Sequence, residues 1–193
     1  MDYISIDNIK EWLKLNLNEE RYEHSIGVAE TAYELAVQFN QNKEKAYITG
    51  LIHDCAKCIK NEALLDIMNT HIDVLECEKI NPKTYHAPAG VYIAKKEFNI
   101  TDDEILSAIR WHTIGHINMT TFDKIIFIAD KIEPRTRPVE YINKIKSKLK
   151  DENGLDMALL ECYKGTIKSL VDRNLKICIE TINIYNELLL KYE

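Results

Sequence analysis

Apolar residues in this 193-residue chain recur at intervals of three and four, and period-two alternation is nowhere sustained. That pattern can bury itself only as packed helices. Ala29, Ala32, Tyr33, Ala36 and Phe39 fall on one side of a helix between Tyr22 and Phe39. Ala46 to Lys57 continues apolar at helical length, with Gly50 permitting close packing. Pro88 is placed to open a helix through Val91 and Ala94 to Phe98. Thr101 to Glu104, "TDDE", reads as a capping box, and the helix it starts carries Ile105, Ala108, Ile109 and His112 on one stripe. A helix from Phe122 to Glu133 ends before Pro134, because the residue preceding a proline avoids helical geometry. Leu155, Ala158, Leu159, Cys162 and Leu170 mark another, and Thr181 to Tyr192 a last one. Lys60 to Asn81 holds only short helical patterns and reads as a lid or irregular connection, and "EPRTRPVE" around Pro134 and Pro138 reads as a loop. The expectation is one all-α domain of about eight to ten helices.

Composition narrows the function classes. With 25 basic against 31 acidic residues the net charge is −6, which argues against broad binding to nucleic acid or an anionic membrane. A local basic pocket for an anionic small molecule remains compatible with it. No apolar run approaches bilayer length, and the opening "MDYISIDNIK" lacks the basic-then-apolar order of a signal peptide. Five cysteines form no dense framework, so a reducing cytoplasm is expected. The single CxxC, Cys55 to Cys58, has no second pair in zinc-ribbon spacing and reads as ordinary thiols on a helix.

Polar residues interrupt the apolar faces at particular places. His24 leads a face through Val28, Ala32 and Leu35. His53 and Asp54 directly follow Leu51-Ile52, His112 closes the Ile105 stripe, and Asp130 ends "IIFIAD". A buried carboxylate without a partner is costly. One divalent cation would satisfy Asp54, Asp130 and several imidazoles together, and a nitrogen–oxygen donor set without thiolate suits Fe, Mn, Zn or Co. Taken singly, each part has a plainer reading: a hydrogen-bonded core histidine for His24 or His112, a lysine or arginine partner for Asp130.

The order His24, His53-Asp54, Asp130 resembles the H…HD…D pattern of the HD-domain metal-dependent phosphohydrolases. The wider text is more specific: "RYEHSIGVAETAYELA", "GLIHDCAK", "HAPAGVYIA", "AIRWHTIGH", "DKIIFIADKIEP" and "TINIYNELL". Together these resemble the YqeK-type family of symmetrical diadenosine tetraphosphate hydrolases, from about residue 20 to about 190. The resemblance implies a single HD-domain helical bundle over residues 1–193. Its core would span about 20–135, with C-terminal helices at 150–193 packing on it.

By that resemblance His24, His53, Asp54 and Asp130 would be metal ligands, with Asp54 and Asp130 the catalytic carboxylates and Asp54 the natural bridge between two ions. His86 and His112 would hold a second metal or contact phosphate. One or two ions are implied, iron first, with Mn, Co or Zn as alternatives. The reaction implied is attack of metal-activated water at the central anhydride of diadenosine tetraphosphate, releasing two ADP. Arg21, three residues before His24, and Lys57, three after Asp54, can reach the same pocket; each alone reads more simply as a solvated surface charge, and the resemblance makes both phosphate contacts. Thr113 would add a hydroxyl, and Arg173 lies in a segment that approaches the nucleotide in the family. After Glu133-Pro134 this chain departs from the family, reading Arg135-Thr136-Arg137-Pro138. Arg135 is the expected phosphate contact over Arg137. His71 and His116 read as surface or structural residues. The partner expected is a nucleotide, with no nucleic acid or membrane, and the apolar C-terminal helices permit a homodimer. Two other readings compete: an HD phosphohydrolase acting on a deoxynucleotide or an alarmone pyrophosphate, and a metal-dependent nucleotide sensor without turnover. The further signature of cyclic-dinucleotide HD enzymes is not found.

Overall fold

A computed structural model describes residues 5–192. Among them are ten α-helices and two short 3-10 turns, and no strand. Helix α1 (Ile6–Asn16) is capped by Ser5 and buries only Ile9 and Leu13. Helix α2 (Glu19–Gln38) starts at Asn18, whose side chain accepts from Arg21 N at 2.9 Å. It is buried on several faces because α3 (Lys43–Ile52) and α7 (Thr121–Ile132) both pack against it. Gly50 on α3 makes this possible: a Cβ there would stand 2.6 Å from Ala29 Cα and 2.8 Å from Ala29 N, so the α2 and α3 backbones touch.

The apolar run does not stay helical to Lys57 as its length suggested. Helix α3 stops at Ile52, and the chain turns through short backbone bonds, Cys55 N to Ile52 O at 3.0 Å and Lys57 N to Asp54 O at 2.9 Å. Helix α4 (Asn61–His71) is regular where an irregular connection was expected. It is followed by 3-10 turns at Glu76–Lys79 and Pro82–Thr84. Helix α5 (His86–Phe98) ends on Asn99 at φ 54°, the left-handed geometry that asparagine tolerates. Helix α6 (Asp103–Trp111) is capped by Asp102, not by a box from Thr101, because the Asp102 carboxylate already accepts from Glu104 N and Ile105 N. A capping box does occur at α7, between Thr120 and Asp123. Helices α8 (Val139–Lys148), α9 (Gly154–Asp172) and α10 (Ile179–Lys191) complete the chain.

Two apolar cores result. One gathers α7 to α10 with Val28, Ala32 and Leu35 of α2, and includes the stacked rings of Phe127 and Tyr163, 5.2 Å apart. The other gathers α1 and α3 to α6 with Ile26 and Ala29, from the other side of α2. Helix α2 therefore lies along the seam between them. No helix among the described residues is long and apolar enough to cross a membrane.

Candidate metal centre

The seam is also where the buried polar residues collect. His24 comes from α2, His53 and Asp54 from the turn ending α3, His86 from the first residue of α5, His112 from the end of α6, and Asp130 from the last turn of α7. All six are buried, none more than 6% exposed. The four imidazoles form a row: ring centres lie 5.3 Å apart for His24–His53, 4.9 Å for His53–His112 and 5.1 Å for His112–His86. Asp130 Oδ1 stands 3.0 Å from His24 Nε2 at one end. The two oxygens of Asp54 face different parts of the row. Oδ2 lies 3.8 Å from His53 Nε2 and 4.0 Å from His24 Nε2, while Oδ1 lies 2.9 Å from His86 Nε2 and 3.4 Å from His112 Nε2.

The outer ring nitrogens fix the tautomers. His53 Nδ1 lies 2.7 Å from Gly50 O, and His112 Nδ1 lies 2.7 Å from Ile109 O. A carbonyl only accepts, so each Nδ1 carries the proton and each Nε2 turns a lone pair into the cluster. His53 Nε2, His24 Nε2 and Asp54 Oδ1 are buried without a directed hydrogen bond. His24 Nε2 has Asp130 Oδ1 beside it at 3.0 Å, and Asp54 Oδ1 has His86 Nε2 at 2.9 Å. Convergent, unsatisfied nitrogen and oxygen donors fit a divalent cation. The sets His24, His53, Asp130 and His53, Asp54, His112 each bring their donor atoms within 4.8 Å of one another.

Charges agree with that chemistry. Burial pushes His53 down to about 3, with His112 and His24 adding to the effect, and pushes His86 down to about 4. Both rings are neutral. Burial opposes ionisation of Asp54, yet His86, His53 and Lys57 hold it well below the usual carboxylate range. Lys131, His24 and Arg137 do the same for Asp130. Cys55 is buried, its thiol lies 3.8 Å from Gly90 O, and burial raises its pKa, so it stands outside the donor set.

A pocket of about 380 Å³ opens beside the His86 end, lined by Arg21, Lys57, Asn61, Leu64, Pro82, Lys83 and His86. Lys57 Nζ sits 3.0 Å from His86 Nε2 and 3.8 Å from Asp54 Oδ1, and Arg21 Nη1 lies 3.5 Å from Asp54 Oδ2. Three basic side chains and no acidic one line this space, so its field favours an anion.

Two expectations about arginines change. Arg135 turns away from the cluster and forks onto Glu23 (2.6 Å) and Glu30 (3.0 Å) of α2. Arg137 instead reaches it, with Nη2 2.8 Å from Asp130 Oδ1 and Nε donating to Asp130 O at 2.9 Å. Arg173 is exposed at the end of α9 and donates to Ser169 O of its own helix, so it is not brought to the cluster. Thr113 follows His112, with its hydroxyl buried and unpartnered. His71 stacks on Tyr92, and His116 lies 3.4 Å from Asp123. Sequence reasoning missed Lys131, 2.5 Å from Asp130 Oδ2, and Glu133, whose Oε1 meets His24 Nδ1 at 3.0 Å. Glu133 was visible only as the residue before the proline that stops α7.

The HD-domain family model matches residues 21–135, a span containing every member of the cluster. A Bacillus subtilis protein named symmetrical bis(5'-nucleosyl)-tetraphosphatase is 36% identical over 176 residues, covering 90% of this chain and 92% of that protein. A Halalkalibacterium halodurans protein of the same name is 35% identical over 93% of this chain and 94% of its own length. The chain belongs to the HD-domain family, in its symmetrical bis(5'-nucleosyl)-tetraphosphatase branch. A crystal structure from Clostridium acetobutylicum, described as a predicted HD superfamily hydrolase involved in NAD metabolism, shares the fold. It has a TM-score of 0.89 and 39% identity, over 97% of this chain and 98% of that one. The HD pair itself, His53-Asp54, is the part of the cluster carried by the turn after α3.

Proposed function

We propose that this chain hydrolyses diadenosine tetraphosphate symmetrically to two ADP, at a site built on His24, His53, Asp54 and Asp130 with His86 and His112. The observation that carries the reading is Asp54, whose two oxygens face two histidine pairs beside a basic pocket. In this reading His24, His53, Asp54 and Asp130 would hold one divalent cation, and Asp54 with His86 and His112 would hold a second or contact phosphate. The family resemblance points to iron as the native ion, and the imidazole–carboxylate set suits Fe, Mn, Co and Zn alike. When bound, such ions acidify water into the neutral range and offset charge on phosphoryl oxygens.

The rest is the work of the chain's own groups. Lys57, Arg21 and Lys83 line the pocket and neutralise the outer phosphates, and Arg137 does so from the Asp130 side. Backbone carbonyls of Gly50 and Ile109 keep His53 and His112 in one tautomer and one orientation, with Nε2 of each turned into the cluster. Five cysteines without a dense spacing framework support a reducing, cytoplasmic setting.

The test is one incubation. Protein reconstituted with Fe²⁺, Mn²⁺ or Co²⁺ is given diadenosine tetraphosphate, and products are separated by chromatography. ADP as sole product supports the proposal, and AMP with ATP contradicts symmetrical cleavage. Tight nucleotide binding without turnover would assign a sensor, and faster turnover of a deoxynucleotide would change the substrate class.

A further inference from the structure

Glu133 is the last residue before Pro134 and is fully buried. A carboxylate in that position needs partners, and it has several. Its oxygens accept from Arg135 N at 2.7 Å and from Thr136 N at 3.1 and 3.2 Å, and from the Thr136 hydroxyl. The remaining partner is His24 Nδ1, at 3.0 Å from Oε1.

The room for this contact is made by a residue on α2. Gly27 lies three residues after His24, on nearly the same face. A Cβ at Gly27 would stand 2.5 Å from Glu133 Oε2, and 3.1 and 3.3 Å from Cδ and Cγ of Arg135. The absence of a side chain at position 27 leaves room for the carboxylate where it meets His24. Arg135 closes the arrangement. Its methylenes pass over Gly27, and its guanidinium grips Glu23 and Glu30, four residues before and three after the glycine.

We infer that Glu133 is the positioning residue of His24: it keeps the proton on Nδ1 and aims the Nε2 lone pair at the metal position, with Gly27 and Arg135 holding it there. His53 and His112 receive the same service from backbone carbonyls. His24 lies inside a long helix, and a side-chain acceptor from the loop after α7 takes that role. The inference rests on His24 being a metal ligand.

The experiment has a metal-free and a metal-bound half. In the apo protein at alkaline pH, where the ring is neutral, long-range ¹H–¹⁵N spectra of His24 report the tautomer. Nδ1–H is expected, and Nε2–H overturns the inference. Calorimetric titration with Mn²⁺ alone should then show about 10–100-fold weaker binding for E133L, the cost typical of losing such an outer partner. G27A should weaken it in the same direction, and E133Q, whose amide oxygen still accepts, should lose less and keep the Nδ1–H form. A folded E133L that binds Mn²⁺ as tightly as wild type overturns the inference. If E133L does not fold, the wild-type tautomer decides. Wild-type protein that takes up no Mn²⁺ overturns the metal reading instead, and the apo spectrum still decides whether Glu133 holds the ring.

Discussion

Replacing Arg137 and Arg135 separately by methionine puts the two arginines of the post-proline loop in direct opposition. Arg137 contacts both the Oδ1 and the backbone oxygen of Asp130 while remaining about a third exposed, so it joins the buried cluster to solvent. A charge-assisted hydrogen bond to a phosphate from such a group contributes about 1.5–3 kcal/mol. R137M should therefore lower kcat/KM for diadenosine tetraphosphate by roughly 10- to 150-fold. The same substitution removes a cation that competes for Asp130 Oδ1, so Mn²⁺ affinity should stay level or rise. Arg135 instead pairs with Glu23 and Glu30, side chains 45% and 50% exposed, and exposed pairs contribute about 0.2–1 kcal/mol each. R135M should cost at most about 2 kcal/mol of stability and change kcat/KM only a few-fold, and salt should diminish the stability loss. Steady-state kinetics by chromatography and Mn²⁺ calorimetry on both variants decide the matter. A larger kinetic loss in R135M than in R137M would refute the assignment, as would loss of Mn²⁺ binding in R137M.

Asp54→Ala should remove metal and activity together, by more than about a hundredfold, beyond the cost of outer-shell changes. Metal analysis and the hydrolysis assay on the same preparation check this, and full activity would eliminate Asp54 from the site. Gly50→Ala should destabilise the chain in urea unfolding by about 1–2 kcal/mol. Overpacking against the unyielding Ala29 backbone costs up to about 3, and the gain in helix propensity returns about 1. Asp156 titrates at about 2 because Lys124, Lys191 and the Tyr192 hydroxyl outweigh the burial that opposes its charge. With its pKa depressed, its contribution is present above about pH 4 and is lost as pH falls toward about 2. Allowing for the exposure of Lys191, that share is about 1 kcal/mol. Asp156→Asn should lack it at neutral pH and lose stability less steeply below pH 4, and parallel pH–stability curves would contradict this.

Part of this arrangement is legible in the residue order, because His24, His53, Asp54, His112 and Asp130 interrupt apolar faces that have to be buried, whereas His86 entered only through the family resemblance. What periodicity could not supply was direction. Leu51-Ile52 predicts a buried helix, but nothing in the run says that it stops at Ile52 so that His53 and Asp54 turn inward on short backbone bonds. Helices α1 and α8 escaped because each buries only two residues, Ile9 with Leu13 and Ile142 with Ile145, within polar text. Arg135 and Arg137 differ by two positions in a proline-flanked loop, where no helical repeat sets which side chain faces which way. Glu133 was hidden behind the proline that explained the helix end. The room for it is left by Gly27, more than a hundred residues earlier.

Helix α2 lies on the seam of two cores, and the donors come from both sides of it: Asp130 from the α7–α10 core, His53, Asp54, His86 and His112 from the α3–α6 core. An ion held there ties the two halves at the place where apolar contact gives way to charge. Its binding free energy then adds to the cohesion of the whole chain, about 2.7 kcal/mol at a hundredfold excess over Kd.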